Sequence, residues 1–172
     1  MSSHRTQIED YVRRLSPDLT PPYITFIQTG FYYQNFTTFF VLDPNKLEFR
    51  YPLLLDGRVS LYDVRDTGKV IRECFRSPQK CGHRQVMPIV AEQLTMQEIC
   101  HKIEEVSERE IIFVPLPYEE ALVRLHPETV NNLRWYNDIG SADEQQAVKT
   151  HEIWPEMTMF ADWLRENRWL LE

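Results

Sequence analysis

The chain has 172 residues, enough for one domain of ordinary size. Its 42% apolar and 26% charged residues are typical of a folded globular protein, and its net charge of −7 disfavours a nucleic-acid partner, since phosphates would be repelled. No stretch reaches the roughly 18 apolar residues of a membrane span, so we expect no membrane partner.

The first third of the chain predicts a helix, a strand and a second helical segment. Residues 4–15 repeat apolar side chains at helical spacing, which indicates a helix with one buried face. Residues 23–28 are mostly β-branched and aromatic, as in a parallel strand buried on both faces. The very aromatic segment from Phe31 to Phe40 is predicted to be helical.

The middle third predicts two extended segments, then a helix and a strand. Residues 47–55 and 58–62 read as a hairpin around the turn signal Asp56-Gly57. Asp66 is placed to cap the next helix. Residues 85–90 form an apolar run that predicts another strand. The apolar stripe of the helix is expected to contain Val70, Ile71, Cys74 and Phe75.

The last part of the chain is predicted to be mainly helical. Thr95 and Glu98 match a capping box, in which each side chain binds the other residue's amide at a helix start. Residues 110–114 predict a strand, and the pattern from Tyr118 onward is helical. Because strands and helices alternate along the chain, the sequence predicts the α/β class.

Glycine and histidine patterns argue against two common kinds of site. The five glycines occur at 30, 57, 68, 82 and 140, so these 172 residues contain no glycine-rich dinucleotide-binding turn. The five histidines lack HxxH or HExxH spacing, and we expect no metal site. Three cysteines without CxxC spacing favour a reducing, cytoplasmic or nuclear setting.

Four segments, in their order and spacing, resemble the NmrA-like family of atypical short-chain dehydrogenase/reductases, which also resemble isoflavone reductase-type enzymes. They are Ile27–Phe36 (IQTGFYYQNF), Asp63–Gly68 (DVRDTG), Leu94–Ile99 (LTMQEI) and a closing helix from Pro155 to Leu164. The resemblance implies the C-terminal portion of an NAD(P)-binding Rossmann-like fold, with the N-terminal Rossmann half missing.

The same resemblance implies how the residues 1–172 divide. Residues of about 1–40 and 83–90 would supply the last Rossmann strands and helices. Residues of about 41–76 and 91–172 would form a mostly helical substrate lobe. Arg5 occupies the position where many relatives carry the lysine of a YxxxK pair, and a guanidinium cannot relay protons as an amine does.

The resemblance also implies site residues. Thr29, Gly30, Phe31 and Tyr32 would contact a bound NADP if a nucleotide-binding half were supplied, since NADP is the cofactor of complete relatives. We expect no cofactor for this chain alone and no catalytic residue within it. The residues expected to line a substrate pocket are Tyr33, Asn35, Phe36 and Trp135.

Three functions remain open. The first is a truncated NmrA-like protein without redox activity of its own, which acts as a regulatory or protein-interaction module. The second is an NAD(P)-dependent reductase whose nucleotide-binding half lies on another chain or is lost from the gene model. The third is a small-molecule binder that needs no nucleotide. A bare strand near residues 23–28 would pair with a protein partner or a second copy.

Overall fold

A computed structural model describes residues 4–15, 24–38, 47–138 and 145–167, and in these ranges it shows seven strands, eight α-helices and two 3-10 helices. The predicted α/β class is confirmed. No helix in the described ranges is long and apolar enough to cross a membrane. The strands are β1 (Phe26–Thr29), β2 (Phe31–Tyr32), β3 (Glu48–Tyr51), β4 (Arg58–Tyr62), β5 (Val86–Ile89), β6 (Glu92–Thr95) and β7 (Ile112–Pro115).

The helices cover and connect these strands. Short 3-10 helices span Tyr33–Thr37 and Val64–Asp66. The α-helices are α1 (His4–Leu15), α2 (Thr67–Arg76), α3 (Pro78–Cys81), α4 (Met96–Ser107), α5 (Tyr118–Arg124), α6 (Pro127–Asp138), α7 (Gln145–Ile153) and α8 (Phe160–Glu166).

The strands pair in three small groups. β1 pairs in parallel with β5, and β3 pairs in parallel with β7. β4 is the centre of the third group, parallel to β2 and antiparallel to β6. The predicted hairpin of β3 and β4 is therefore wrong. Both segments are extended, but each forms its ladder with a strand distant in sequence.

Several local predictions are confirmed where the signal is short-range. The Thr95 hydroxyl accepts from the Glu98 amide, and the Glu98 carboxylate accepts from the Thr95 amide, so α4 begins with the predicted capping box. The helix then buries its apolar stripe. The stripe residues are Ile99, Ile103 and Val106.

Other predictions fail where tertiary contacts decide. Phe75 was expected on the buried stripe of α2, yet 84% of it is exposed while Val70 is fully buried. The segment from Phe31 onward, predicted to be helical, is helical only at residues 33–37 of its described part. It forms β2 and then the 3-10 helix 33–37, because Phe31 and Tyr32 pair with β4. Phe39 and Phe40 lie outside the described residues.

An aromatic cluster forms the centre of the core. The Phe160 and Trp163 rings are stacked at 6.0 Å, and Tyr33 and Phe36 pack on Phe160 at 5.1 and 4.9 Å between ring centroids. All four side chains are buried. The cluster fixes the 3-10 helix 33–37 against α8, with ring offsets and tilts that aromatic pairs favour.

The first strand is less buried than the sequence predicts. Residues 27–29 of β1 are exposed, and in the described part of the chain β1 pairs with β5 alone. The other edge of β1 therefore has no ladder partner in the described residues. The prediction of a strand buried on both faces is wrong, since three of the four residues of β1 are exposed.

Gly30 joins two of the strand groups. The chain leaves β1 at Thr29 and enters β2 at Phe31, and the Gly30 amide donates to the Ile89 carbonyl at 3.1 Å. A Cβ at this position would lie 2.7 Å from the Ser60 carbonyl oxygen and 3.3 Å from that of Ile89. Because both neighbours are backbone atoms, the packing needs glycine here.

We predict that Gly30→Ala destabilises the fold by about 1–3 kcal/mol, the usual cost of overpacking. The matched control is Gly68→Ala, because a Cβ on Gly68 meets no atom within 4 Å and the residue lies in α2. That control should be neutral or stabilising by up to about 1 kcal/mol. Urea unfolding of both variants measures the difference, and equal effects would contradict the packing argument.

Candidate functional site

An open trough of about 790 Å³ runs along β1 and continues past its carboxyl end. One side is formed by β1 with the turn that follows it and by Val86 of β5, and the other by α6, while Glu9 of α1 also lines the trough. Ligands of open α/β sheets bind in this position, outside the carboxyl ends of the strands. The trough is therefore the candidate site of the described residues.

Six of the residues predicted for the site reach the trough. Thr29, Gly30, Phe31 and Tyr32 line it from the turn after β1. Asn35 lines it from the 3-10 helix 33–37, and Trp135 lines it from α6. Whether these residues bind a ligand stays a prediction.

Two residues predicted for the pocket lie elsewhere. Tyr33 and Phe36 do not line the trough but pack in the aromatic core. In the 3-10 helix 33–37, residues three apart lie on the same side. Tyr33 and Phe36 therefore turn inward together.

Helix α6 contributes a wall, of which only Trp135 was predicted as a pocket residue. Thr129, Asn132, Leu133 and Tyr136 line the trough together with Trp135. The Trp135 and Tyr136 rings meet edge to face at 5.2 Å, and burial raises the pKa of Tyr136. A signal was present, because positions 129, 132, 133 and 136 follow the i, i+3, i+4, i+7 spacing of one helix face.

The wall of the trough is almost uncharged. Glu9 is the only charged residue among the described residues that line it, and its carboxylate already accepts from the Arg13 guanidinium. Within the described ranges, the side-chain amides of Gln28 and Asn132 make no hydrogen bond. The trough therefore offers aromatic faces and neutral hydrogen-bonding groups, and its described wall has no cation for an anionic ligand.

Asp63 anchors the turn after β1 from inside the fold. Its buried carboxylate accepts from the Gln34 amide at 2.8 Å and from the Arg65 guanidinium, while Gln34 accepts from the Val64 amide. Burial opposes ionisation of Asp63, but the hydrogen bonds from Arg65 and Gln34 outweigh it and lower the pKa of this carboxyl. Segments 30–36 and 63–68 are thus bonded directly.

Two further buried carboxylates hold the segment before α8. Asp66 accepts from the Thr158 amide at 2.7 Å and pairs with Lys69. Glu92 accepts from the Phe160 amide and the Tyr33 hydroxyl. The Asp66 side chain makes no capping bond to α2, so the predicted cap is wrong: this carboxylate binds a more distant backbone amide instead.

These carboxylates are structural in their contacts. Neither Asp63 nor Asp66 lines the trough, and both are fully buried with hydrogen-bond partners. The described residues contain no group of three His, Cys, Asp or Glu side chains that could hold a metal ion. Burial, with a smaller effect of the neighbouring Cys81 thiol, raises the pKa of Cys74 to about 12, so its thiol stays protonated at neutral pH. The side chain of Arg5 lies outside the described part of the chain.

The sequence matches the profile of the NmrA-like family over residues 2–164. A comparison with curated proteins gives no match. Solved structures share the fold at low sequence identity. The negative transcriptional regulator NmrA in complex with NADP superposes with a TM-score of 0.71 and 20% identity, covering 94% of this chain and 56% of NmrA.

Two further solved structures also share the fold at low sequence identity. NmrA in complex with NAD has a TM-score of 0.72 and 18% identity, covering 96% of this chain and 57% of that one. A nucleoside-diphosphate-sugar epimerase from Staphylococcus aureus has a TM-score of 0.70 and 17% identity, covering 94% and 58%. The chain thus has the fold of Rossmann-like NAD(P)-binding proteins and spans a little over half the length of these structures.

We predict that Asp63→Asn lowers the free energy of unfolding by about 1–3 kcal/mol at neutral pH, because buried donors lose a charged acceptor. The matched control is Asp162→Asn, whose exposed pair with Arg165 should contribute less than about 1 kcal/mol. Urea unfolding measures both variants.

The lowered pKa of Asp63 determines how its contribution to stability changes with pH. The pKa of Asp63 is lower in the folded state, so its contribution is present above the unfolded value of about 3.9 and is lost as the pH falls through the folded value. The stability gap between wild type and Asp63→Asn should therefore narrow below about pH 4. A gap that widens on acidification would contradict the assignment.

Proposed function

Because the chain belongs to the NmrA-like family, we propose that it acts as a regulatory, protein-interaction module without redox activity of its own. The observation that carries the proposal is the open edge of β1. This edge has no ladder partner in the described residues, and an unpaired edge offers backbone groups to a further strand.

Strand addition would satisfy this edge. The backbone groups of Phe26–Thr29 that point away from β5 are available to a further strand, and Ile27 is exposed beside them. An extended segment of another polypeptide would pair with these groups and bury Ile27. We therefore propose β1 as the contact site of a protein partner.

The lack of cationic side chains in the described lining of the trough supports the proposal that these residues alone do not catalyse hydride transfer. A dinucleotide carries a pyrophosphate, which proteins bind with backbone amides at a glycine-rich helix start or with cationic side chains. The described lining contains no lysine, arginine or histidine, and Glu9 would repel phosphate. A dinucleotide would need its phosphates held by another segment.

A second candidate is favoured by the position of the trough. Gly30 lets the backbone approach a ligand closely, and Tyr32 and Trp135 offer aromatic walls beside the carboxyl end of β1. With a nucleotide-binding half supplied by another segment, these residues would contact the nicotinamide side of NADP. The chain would then be the substrate lobe of a reductase or of a nucleotide sensor.

The first experiment tests whether the chain binds a dinucleotide without a further segment, a result that would favour the second candidate. We expect thermal unfolding of the chain to be unchanged by NADP or NADPH, because the described lining of the trough contains no cationic side chain to bind phosphate. A ligand at about 100 times its dissociation constant would stabilise the folded state by about 2.7 kcal/mol, a readily visible shift in Tm. A shift of that size would reject the first candidate and favour the second.

The second experiment tests the β1 contact. We expect p-benzoylphenylalanine at position 28, which is exposed in β1, to photo-crosslink one defined polypeptide in cells. The same probe at Val123, 86% exposed on α5 and outside the trough, is the matched control and should not crosslink it.

A cationic side chain on the edge strand β1 provides a second test of the β1 contact. Ile27→Lys places a cation on the edge strand and should abolish the crosslink from position 28, since edge lysines block strand pairing. Val123→Lys should leave it unchanged. A crosslink that persists in Ile27→Lys, or appears equally from position 123, would reject the β1 contact.

A further inference from the structure

Ser77 lies in the turn between α2 and α3. The residue is partly exposed, and its hydroxyl makes no hydrogen bond to a described residue and is not a buried atom. Its backbone is not helical, with φ −134° and ψ 62°. The two side chains before it, Phe75 and Arg76, are 84% and 67% exposed. The turn therefore presents an accessible and unbonded serine hydroxyl.

The residues after Ser77 form a pattern that protein kinases select. Pro78 has no N–H, so an apolar groove accepts it without leaving a backbone donor unsatisfied. Lys80 is exposed, and it makes no hydrogen bond or ion pair with a described residue. Proline-directed serine/threonine kinases select proline directly after the serine and prefer a cation at the third position. Charge patterns of this kind separate one kinase's substrates from another's.

The sequence contains an internal comparison for this pattern. Ser16 and Thr20 are also followed by proline, but Leu19 and Tyr23 occupy the third position after them. Ser77 is therefore the one hydroxyl residue of the 172 that has both the proline and the cation. A kinase that needs the cation would distinguish Ser77 from the other two residues on the same chain.

The turn around Ser77 is held by few bonds. A kinase binds the residues beside the serine in an extended form, so α3 must open. This helix has one turn, in which the Lys80 amide donates to the Ser77 carbonyl at 2.9 Å and the Gly82 amide to the Pro78 carbonyl at 3.2 Å. Local opening of such a short element does not require the core to unfold.

The charge around Ser77 is positive, although the net charge of the chain is −7. From Arg72 to Arg84 the sequence has four lysine and arginine residues and one acidic residue, Glu73. A phosphoserine carries a charge of about −1.5 to −2 at pH 7. Beside Arg76 and Lys80 such a phosphate would gain charge-assisted hydrogen bonds, whereas most of this acidic chain would repel it.

We propose that Ser77 is a phosphorylation site for a proline-directed serine/threonine kinase that recognises Pro78 and Lys80. In this reaction the Ser77 hydroxyl oxygen attacks the γ-phosphorus of ATP, and the bond between that phosphorus and the bridging oxygen of ADP breaks. The products are phosphoserine, ADP and the proton released from the hydroxyl. Ser77 lies outside β1 and does not line the trough, so the proposal is independent of the proposed function.

Incubation of the full chain with ATP and a cyclin-dependent kinase tests the proposal, with mass spectrometry to locate the phosphate. Ser77 should be modified at least about tenfold faster than Ser16 or Thr20, since a kinase loses a charged contact at those two positions. Lys80→Ala should slow the reaction at Ser77 by a similar factor. Ser77→Ala should remove this phosphate, and Ser77→Thr should retain it.

Controls separate recognition from loss of structure. Arg134→Ala removes an exposed cation on α6, where it pairs with Asp138, and should leave the rate at Ser77 unchanged. Pro78→Ala should slow phosphorylation without lowering the Tm of the unmodified chain. The phosphorylated wild type should unfold at the Tm of the unmodified chain or above it, because nearby cations compensate the added charge.

Three results would overturn the proposal. One is a folded chain that takes up no phosphate at Ser77, which would show that the turn does not open to a kinase. Another is an equal rate at Ser16, Thr20 and Ser77, or an unchanged rate in Lys80→Ala, because the cation would then not be recognised. The third is a lower Tm after phosphorylation of Ser77, which would contradict the compensation of charge in the turn.

Discussion

The packing of Gly30 between two strands is the constraint on which the candidate site depends. At this one residue the chain passes from the β1–β5 pair to the group centred on β4, with the Ser60 and Ile89 carbonyls too close for any side chain. The position of β2, and of the 3-10 helix 33–37 that follows, is set by this passage. Gly30 also lines the trough, so a residue that the packing of the strands requires belongs to the candidate site.

Buried carboxylates explain why the wall of the trough is neutral. The polar anchors of the turn after β1 point inward, where Gln34 and Tyr33 donate to Asp63 and Glu92. These bonds tie the turn to α2, β6 and the segment before α8, and they remove two carboxylates from the surface that a ligand would meet. What remains toward the trough is aromatic and amide. The inward orientation of these side chains therefore both stabilises the turn after β1 and leaves the turn with aromatic and amide groups facing the trough.

Local signals predicted their elements, and distant pairing did not follow from them. The capping box at Thr95 fixes the start of α4 because both partners lie within one turn. The strand β3 was recognised as extended, but its ladder partner β7 lies far along the chain. No sequence pattern in either strand indicates that the two pair with each other. The same difference between local signals and distant contacts applies to the residues of the candidate site. A motif at residues 30–36 indicated the turn, whereas the α6 wall became apparent only when the fold brought Asn132 and Tyr136 to face it.

The exposed surfaces α1 and β1 belong to one side of the molecule, and this has a physical consequence. Around α8, the aromatic cluster and the hydrogen bonds to buried carboxylates belong to the buried core. At α1 the helix rests on Arg13 while Ile8 and Tyr11 face outward, and at β1 one row of backbone groups has no partner in the described residues. A helix held mainly through charged side chains buries little apolar surface, so these contacts contribute little to stability. A strand added at the β1 edge, as proposed above, would therefore also change the trough that α1 and β1 both line.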